Sequence, residues 1–172
     1  MTIVFGDDRC GSFATVDRVE ISRQMSQPAA KRAFFMEFNV MTKRDAVFPA
    51  NRHALYEAHG YSAAIRSGDL MFVSGQVGSR TDGSPEPDFT EQVRLAFSNL
   101  EATLAAGGCT FDDIVDVTTF HTDPENQFPT IMTVKSAIFS QPPYPNWTAI
   151  GVNWLAGFDF EIKVIARIPN RT

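Results

Sequence analysis

Glu161 and Trp147 are the residues best suited to chemistry in this sequence, a carboxylate and an indole carried on neighbouring runs of alternating character. A carboxylate partly withdrawn from water can orient or deprotonate a water molecule, and an indole offers a flat apolar surface for stacking. In the run from Phe158 to Ile168, Phe158, Phe160, Ile162, Val164, Ala166 and Ile168 fall on one face, with Asp159, Glu161, Lys163 and Arg167 on the other. In the run before it, Thr148, Ile150, Val152 and Trp154 share a face, which turns Trp147, Ala149, Gly151 and Asn153 the other way. The alternation predicts two strands joined by a short turn at Leu155-Ala156-Gly157, with Trp147 and Glu161 together on the face away from the core. Beside the small Ala149 and Gly151 they make a cleft floor.

Other reactive residue types are less well placed. Ser74 has no His or acid at a recognisable spacing and no nucleophile-elbow glycines, so its place is in the backbone layout of a strand end. His53, His59 and His121 stand alone, and Asp112, Asp113 and Asp116 suit a helix start and a solvated edge better than a metal. Cys10 and Cys109 lie far apart without metal-site spacing, so two reduced thiols and no metal or cofactor are expected. Arg66, Arg80 and Arg167 are candidates for gripping an anion, with surface solvation the default reading for each.

Several elements must position these groups. Tyr61 to Arg66 and Leu70 to Ser74 read as strands around a Ser67-Gly68-Asp69 turn, with Gly75 closing the second. Residues 79–88 have loop chemistry, and Phe89, Val93, Ala96, Phe97, Leu100 and Leu104 then recur at helical steps. Asp88 or Thr90 caps that helix at its start, and Gly107-Gly108 stops it. Thr110 caps a single turn through Asp113, and Ile114 to His121 is a β-branched strand. A second helix opens at Asp123-Pro124 and becomes regular only from Pro129; Gln141-Pro142-Pro143 ends it. The resulting order predicts an α+β domain, a mixed sheet with two helices on one face, whose other face needs cover from a subunit partner.

The totals set bounds on function. A chain of 172 residues with 44% hydrophobic and 20% charged residues has the composition of one globular domain. Its formal charge of -5 repels phosphate backbones, so nucleic acid is not an expected partner. No apolar run approaches the ~20 residues of a membrane span, and the first residues lack a signal pattern, so a cytoplasmic protein with no membrane partner is expected. Residues 1–44 show no sustained period and mix Asp7, Asp8, Asp17 and Glu20 with Arg9, Arg18 and Arg23. They are expected to be a weakly ordered extension or the product of an upstream start codon, leaving residues 45–172 as the domain. The alternative is an arm that packs on a neighbouring subunit through Phe34, Phe35 and Phe38.

Four blocks in fixed order carry a resemblance: Tyr61-Ser62-Ala63-Ala64, the stretch from Gly68 to Gln76, Asn99-Leu100-Glu101-Ala102, and the stretch from Phe158 to Ala166. Over about Phe48 to Pro169 the chain resembles the reactive intermediate deaminase family, also called RidA, YjgF or RutC-like, and is most similar to its YjgH-like branch. The resemblance implies a chorismate-mutase-like α+β subunit and a homotrimer whose sheets line an inner barrel. It also implies small-molecule ligands in clefts between subunits, and hydrolysis of an imine or enamine with loss of ammonia. Carried over position by position, the site comprises Tyr61, Ser74 and Gly75, with Glu161 directing water; Trp147 departs from the family pattern and either shapes the pocket as a stacking platform or plugs the cleft or an interface.

The family's pattern is broken at three positions. An arginine that grips the substrate carboxylate is replaced by Trp147, a helix asparagine by Met132, and a cysteine two positions beyond the arginine by Ala149. Each charge-assisted hydrogen bond from a guanidinium contributes about 1.5–3 kcal/mol, and an indole leaves the anion desolvated and unpaired. Hydrolysis of an imine or enamine that is not a 2-imino acid is therefore the expected activity, and a non-catalytic trimer that binds a small ligand is the alternative.

Overall fold

The computed structural model describes residues 44–170. The expected N-terminal extension and its phenylalanines lie outside the described residues. Seven strands form one sheet: β1 (Asp45–Val47), β2 (Ala64–Ser67), β3 (Leu70–Val73), β4 (Gln76–Val77), β5 (Ile114–His121), β6 (Asn146–Gly151) and β7 (Phe160–Arg167). The order is β1-β2-β3-β7-β5-β6, with β4 also paired to β7. Among the described residues the helices are a single turn α1 (Leu55–Ala58) and the longer α2 (Phe89–Gly107) and α3 (Pro124–Ile138). Both long helices pack on one sheet face, where Val93, Leu100, Ile131 and Val134 join Val117, Phe160, Ile162 and Val164 in the core. Among the described residues the sheet is open, with β1 and β6 as its edges, and does not close into a barrel. Among the described residues no helix is long and apolar enough to cross a membrane.

Both ends of α2 follow from local chemistry. The Asp88 carboxylate accepts from the Glu91 amide at 3.0 Å, satisfying one of the first free N–H groups. At the other end Gly108 adopts a left-handed conformation (φ 84°), and the amides of Gly108 and Cys109 return to the carbonyls of Ala105 and Leu104. Arg66 of β2 reaches the carbonyls of Ala106 and Gly107, both at 3.3 Å, placing a cation at the negative end of the helix. Asn99, within one of the resemblance blocks, donates to the carbonyls of Val77 and Ser79 and so ties β4 to the helix.

Close approach of α2 to β4 depends on Gly78, where an added Cβ would fall within van der Waals contact of the Gln92 backbone, 2.8 Å from its carbonyl carbon. Backbone cannot swing aside as a side-chain end can. Gly78→Ala is therefore expected to destabilise the fold by about 1–3 kcal/mol, measurable in urea unfolding as a lower midpoint at unchanged slope.

Three sequence expectations change in the fold. The run at 144–168 is not a hairpin: β6 lies parallel to β5, β7 lies antiparallel to β5, and β5 separates them. A parallel neighbour requires a crossover, and α3 supplies it between β5 and β6. Residues 152–159 then step across β5, held there by Val152 to His121 and by Thr122 to Asp159. Regular helix begins at Pro124 rather than Pro129, because Pro124 occupies the first turn, where no amide partner is lost. Pro129 forfeits only one bond, to a carbonyl near the exposed helix start. The first strand of the early hairpin begins at Ala64, since the Tyr61 amide turns back to the Tyr56 carbonyl at 3.1 Å.

Candidate functional site

Glu161 lies on β7 opposite Val77 of β4 and Phe120 of β5, on the sheet face that carries no helix. Its neighbours Phe160 and Ile162 turn into the core, which fixes its direction through the period of the strand. The half-buried carboxylate lies against Gly75, whose missing side chain makes room for it: a Cβ there would overlap the carboxylate and come within 2.8 Å of the Glu161 Cγ. Burial pushes the carboxyl above its usual range, with Lys163 acting in the opposite direction. Among the described residues nothing hydrogen-bonds this carboxylate, so its lone pairs are available to water.

Gly75→Ala is expected to leave the fold intact while displacing the carboxylate, because the atoms in the way belong to the movable end of a side chain. If Glu161 directs water, turnover falls about tenfold or more with little change in Tm; equal activity in both proteins would argue against this contact.

Gly75 lies against Glu161, Tyr61 is close enough to feel its charge, and Ser74 directly precedes Gly75. Tyr61 packs edge-on against Tyr56 at 5.0 Å, and its phenol is pushed up to about 12 by burial first, then by Tyr56 and Glu161. It is therefore a proton-bearing donor at neutral pH and not a base. Ser74 donates its hydroxyl to the Ser62 carbonyl at 2.7 Å, consistent with a backbone role and not with an activated nucleophile. The buried Gln76 links the group: it accepts from the Tyr56 hydroxyl at 2.8 Å and donates to the Ser74 carbonyl at 2.9 Å. Neither Tyr56 nor Gln76 was marked by spacing, although Gln76 directly follows the Gly75 that sequence reading did select.

Trp147 is placed differently from expectation. In the parallel register it stands opposite Val117, a core residue, so it faces the helices and not the Glu161 side. Its Nε1 donates to Thr119 Oγ1 at 3.1 Å, and Phe139, which follows the last residue of α3, meets the ring edge-on at 5.9 Å. The physical reason is that this face offers both an acceptor for the indole N–H and an aromatic partner. Within one chain the indole and the carboxylate therefore lie on opposite sides of the sheet. Lys135 of α3 holds its Nζ 4.6 Å from the Trp147 ring centre and 5.9 Å from that of Tyr144. No local pattern marks Lys135, because the strand that pairs with it arrives through the crossover.

The three arginines proposed as anion grips are occupied. Arg66 meets Asp45, Arg80 makes two contacts with Glu86, and Arg167 meets Asp69. The single turn after Thr110 forms (Phe111–Asp113), with the Asp113 carboxylate accepting from the Thr110 amide at 2.7 Å. His121 is fully buried beside Thr119 at 2.8 Å, in keeping with a structural histidine.

The family described as Endoribonuclease L-PSP (Ribonuc_L-PSP) matches residues 51–168. The chain is 79% identical over 131 residues to the RutC family protein YjgH of Escherichia coli (strain K12), covering 76% of this chain and 100% of that protein. The solved structure of Protein YJGH matches with a TM-score of 0.73 at 79% identity, again over 76% of this chain and all of the other. A 2-iminobutanoate/2-iminopropanoate deaminase of Dermatophagoides farinae is 33% identical over 94 residues, 54% of this chain and 72% of that protein. With four motif blocks, an open mixed sheet carrying its long helices on one face, and a family match over most of its length, the chain belongs to the Endoribonuclease L-PSP family, which includes the YjgF, RidA and RutC proteins.

Proposed function

We propose that this chain assembles as a homotrimer and hydrolyses a small imine or enamine at clefts between its subunits. The observation that carries the reading is Glu161, a half-buried carboxylate with a raised pKa and no hydrogen-bond partner among the described residues, packed against Gly75. The carboxylate accepts a proton from water as the water oxygen bonds to the carbon of C=N, and the nitrogen takes up a proton. The resulting carbinolamine then collapses: its nitrogen takes up a second proton, the C–N bond breaks with the bonding pair leaving on the nitrogen as ammonia, and the hydroxyl gives up its proton as the C=O bond forms. The products are one carbonyl compound and one ammonia for each water consumed. Tyr61, with its phenol protonated, is positioned to donate to the substrate.

Two features support assembly. The helix-free face exposes Phe72 (42%) and Ile150 (39%), and among the described residues β6 presents an outer edge with no strand beside it. A site between subunits also accommodates the opposed faces of Glu161 and Trp147, since Trp147 of one subunit can complete the pocket of another. The reading does not extend to 2-imino acids held by a guanidinium at position 147, which is tryptophan here. The test is ammonia release by the full-length chain from a panel of freshly generated imines and enamines. Faster release than in buffer supports hydrolysis; no acceleration for any member leaves a trimer that binds a ligand without turning it over.

A further inference from the structure

Lys135 carries a charge that the fold positions without neutralising. A lysine in the last turn of a helix is already favoured by the helix dipole, so its presence alone implies nothing. Its placement is more informative. The ammonium sits over Trp147 at 4.6 Å and near Tyr144 at 5.9 Å, and among the described residues it forms no ion pair. Aromatic faces balance part of a positive charge but accept hydrogen bonds poorly, leaving its three N–H donors for another acceptor. The indole beneath it is fixed by Thr119 and Phe139. Tyr144 is exposed (57%), and among the described residues β6 is an edge strand, so the cation stands at the border of the described sheet.

We infer that Lys135 is an anion grip, and that the site takes a small carboxylate whose apolar part rests against Tyr144 and Trp147. The inference depends on the hydrolysis reading only for what happens to the ligand afterwards. The cation projects from α3 and not from β6, so the carboxylate it holds is displaced from where a group at position 147 would hold one. A net charge of -5 gives the chain no general attraction for anions, so a preference for a carboxylate reports a local cation.

The test uses the full chain with Trp154→Phe, which leaves Trp147 as the only tryptophan, and follows its emission during titration with benzoate or with the uncharged benzamide. Benzoate is expected to bind about tenfold or more tighter than benzamide. Lys135→Met keeps the stem over the rings and is expected to abolish that preference by weakening benzoate alone, whereas Lys135→Arg retains it. No preference in the parent protein, a preference that survives Lys135→Met, or equal weakening of both ligands would overturn the inference. Should the Met variant fail to fold, Lys135→Gln takes its place under the same criteria. Because ammonia is not measured, these outcomes are separate from the hydrolysis test: intact benzoate preference without turnover defeats only the hydrolysis reading.

Discussion

Glu161→Gln is expected to lower kcat for imine hydrolysis by about 10²–10⁴-fold, the usual contribution of a positioned acid or base, with KM changed much less. Glutamine keeps the size of the side chain and its contact with Gly75 but cannot take a proton from water. The pH dependence should agree. In the proposed mechanism turnover needs the ionised carboxylate, and burial raises its pKa, so the acid limb of kcat should fall at a pH above that of an ordinary carboxylate. In Glu161→Gln any residual rate should lose that limb.

Stability should move the other way. Between the ordinary carboxyl pKa and the raised folded value the native state holds more protons than the unfolded chain, so its stability falls as pH rises through that window. The penalty is absent below the unfolded pKa and complete above the folded one. Glu161→Gln should therefore show a higher Tm than the parent at neutral pH, an advantage that vanishes on acidification. Unchanged turnover together with an unchanged Tm would show that the carboxylate neither reacts nor carries a cost.

Phe72→Glu is expected to convert the proposed trimer into single chains and to abolish the proposed hydrolysis. Phe72 lies between Ile65 and Ile165 in the register of three adjacent strands, on the face that carries no helix. An apolar patch of this kind is covered in a stable assembly, and a carboxylate introduced there must be desolvated if a second copy is to approach. Because the side chain is exposed within the single chain, the subunit itself should stay folded, with an unaltered far-UV spectrum. Sedimentation equilibrium separates the outcomes: three chains for the parent and one for the variant is the expected result. A parent protein that sediments as one chain would remove the basis for a site between subunits.

Much of the layout was legible from local chemistry. Helix α2 announces itself through apolar steps of three and four bounded by Asp88 and Gly108, and β5 through its β-branched run, because caps and side-chain period act within a few residues. Glu161 was placed correctly for the same reason: Phe160, Ile162 and Val164 give β7 one unmistakably apolar face, so the remaining residues must point away from it.

Strand β6 has no such face. Trp147 and Ala149 alternate with Thr148 and Ile150, both sides are mixed, and the strand lies at an exposed edge, so the alternation left its orientation open. Hydrogen bonding and packing decided it, through Thr119 for the indole N–H and Phe139 for the ring. The entry of β5 between β6 and β7, and the meeting of Lys135 with Trp147, likewise depend on which backbone edges pair across long loops. By itself the sequence determined the long helices, the main strands and the core face of β7, since each depends on period or on near neighbours, while the grouping around Gly75 was what the family resemblance implied. Only the tertiary structure decided the side on which Trp147 lies and the cation it meets, because strand neighbours are chosen by contacts between segments far apart in the chain.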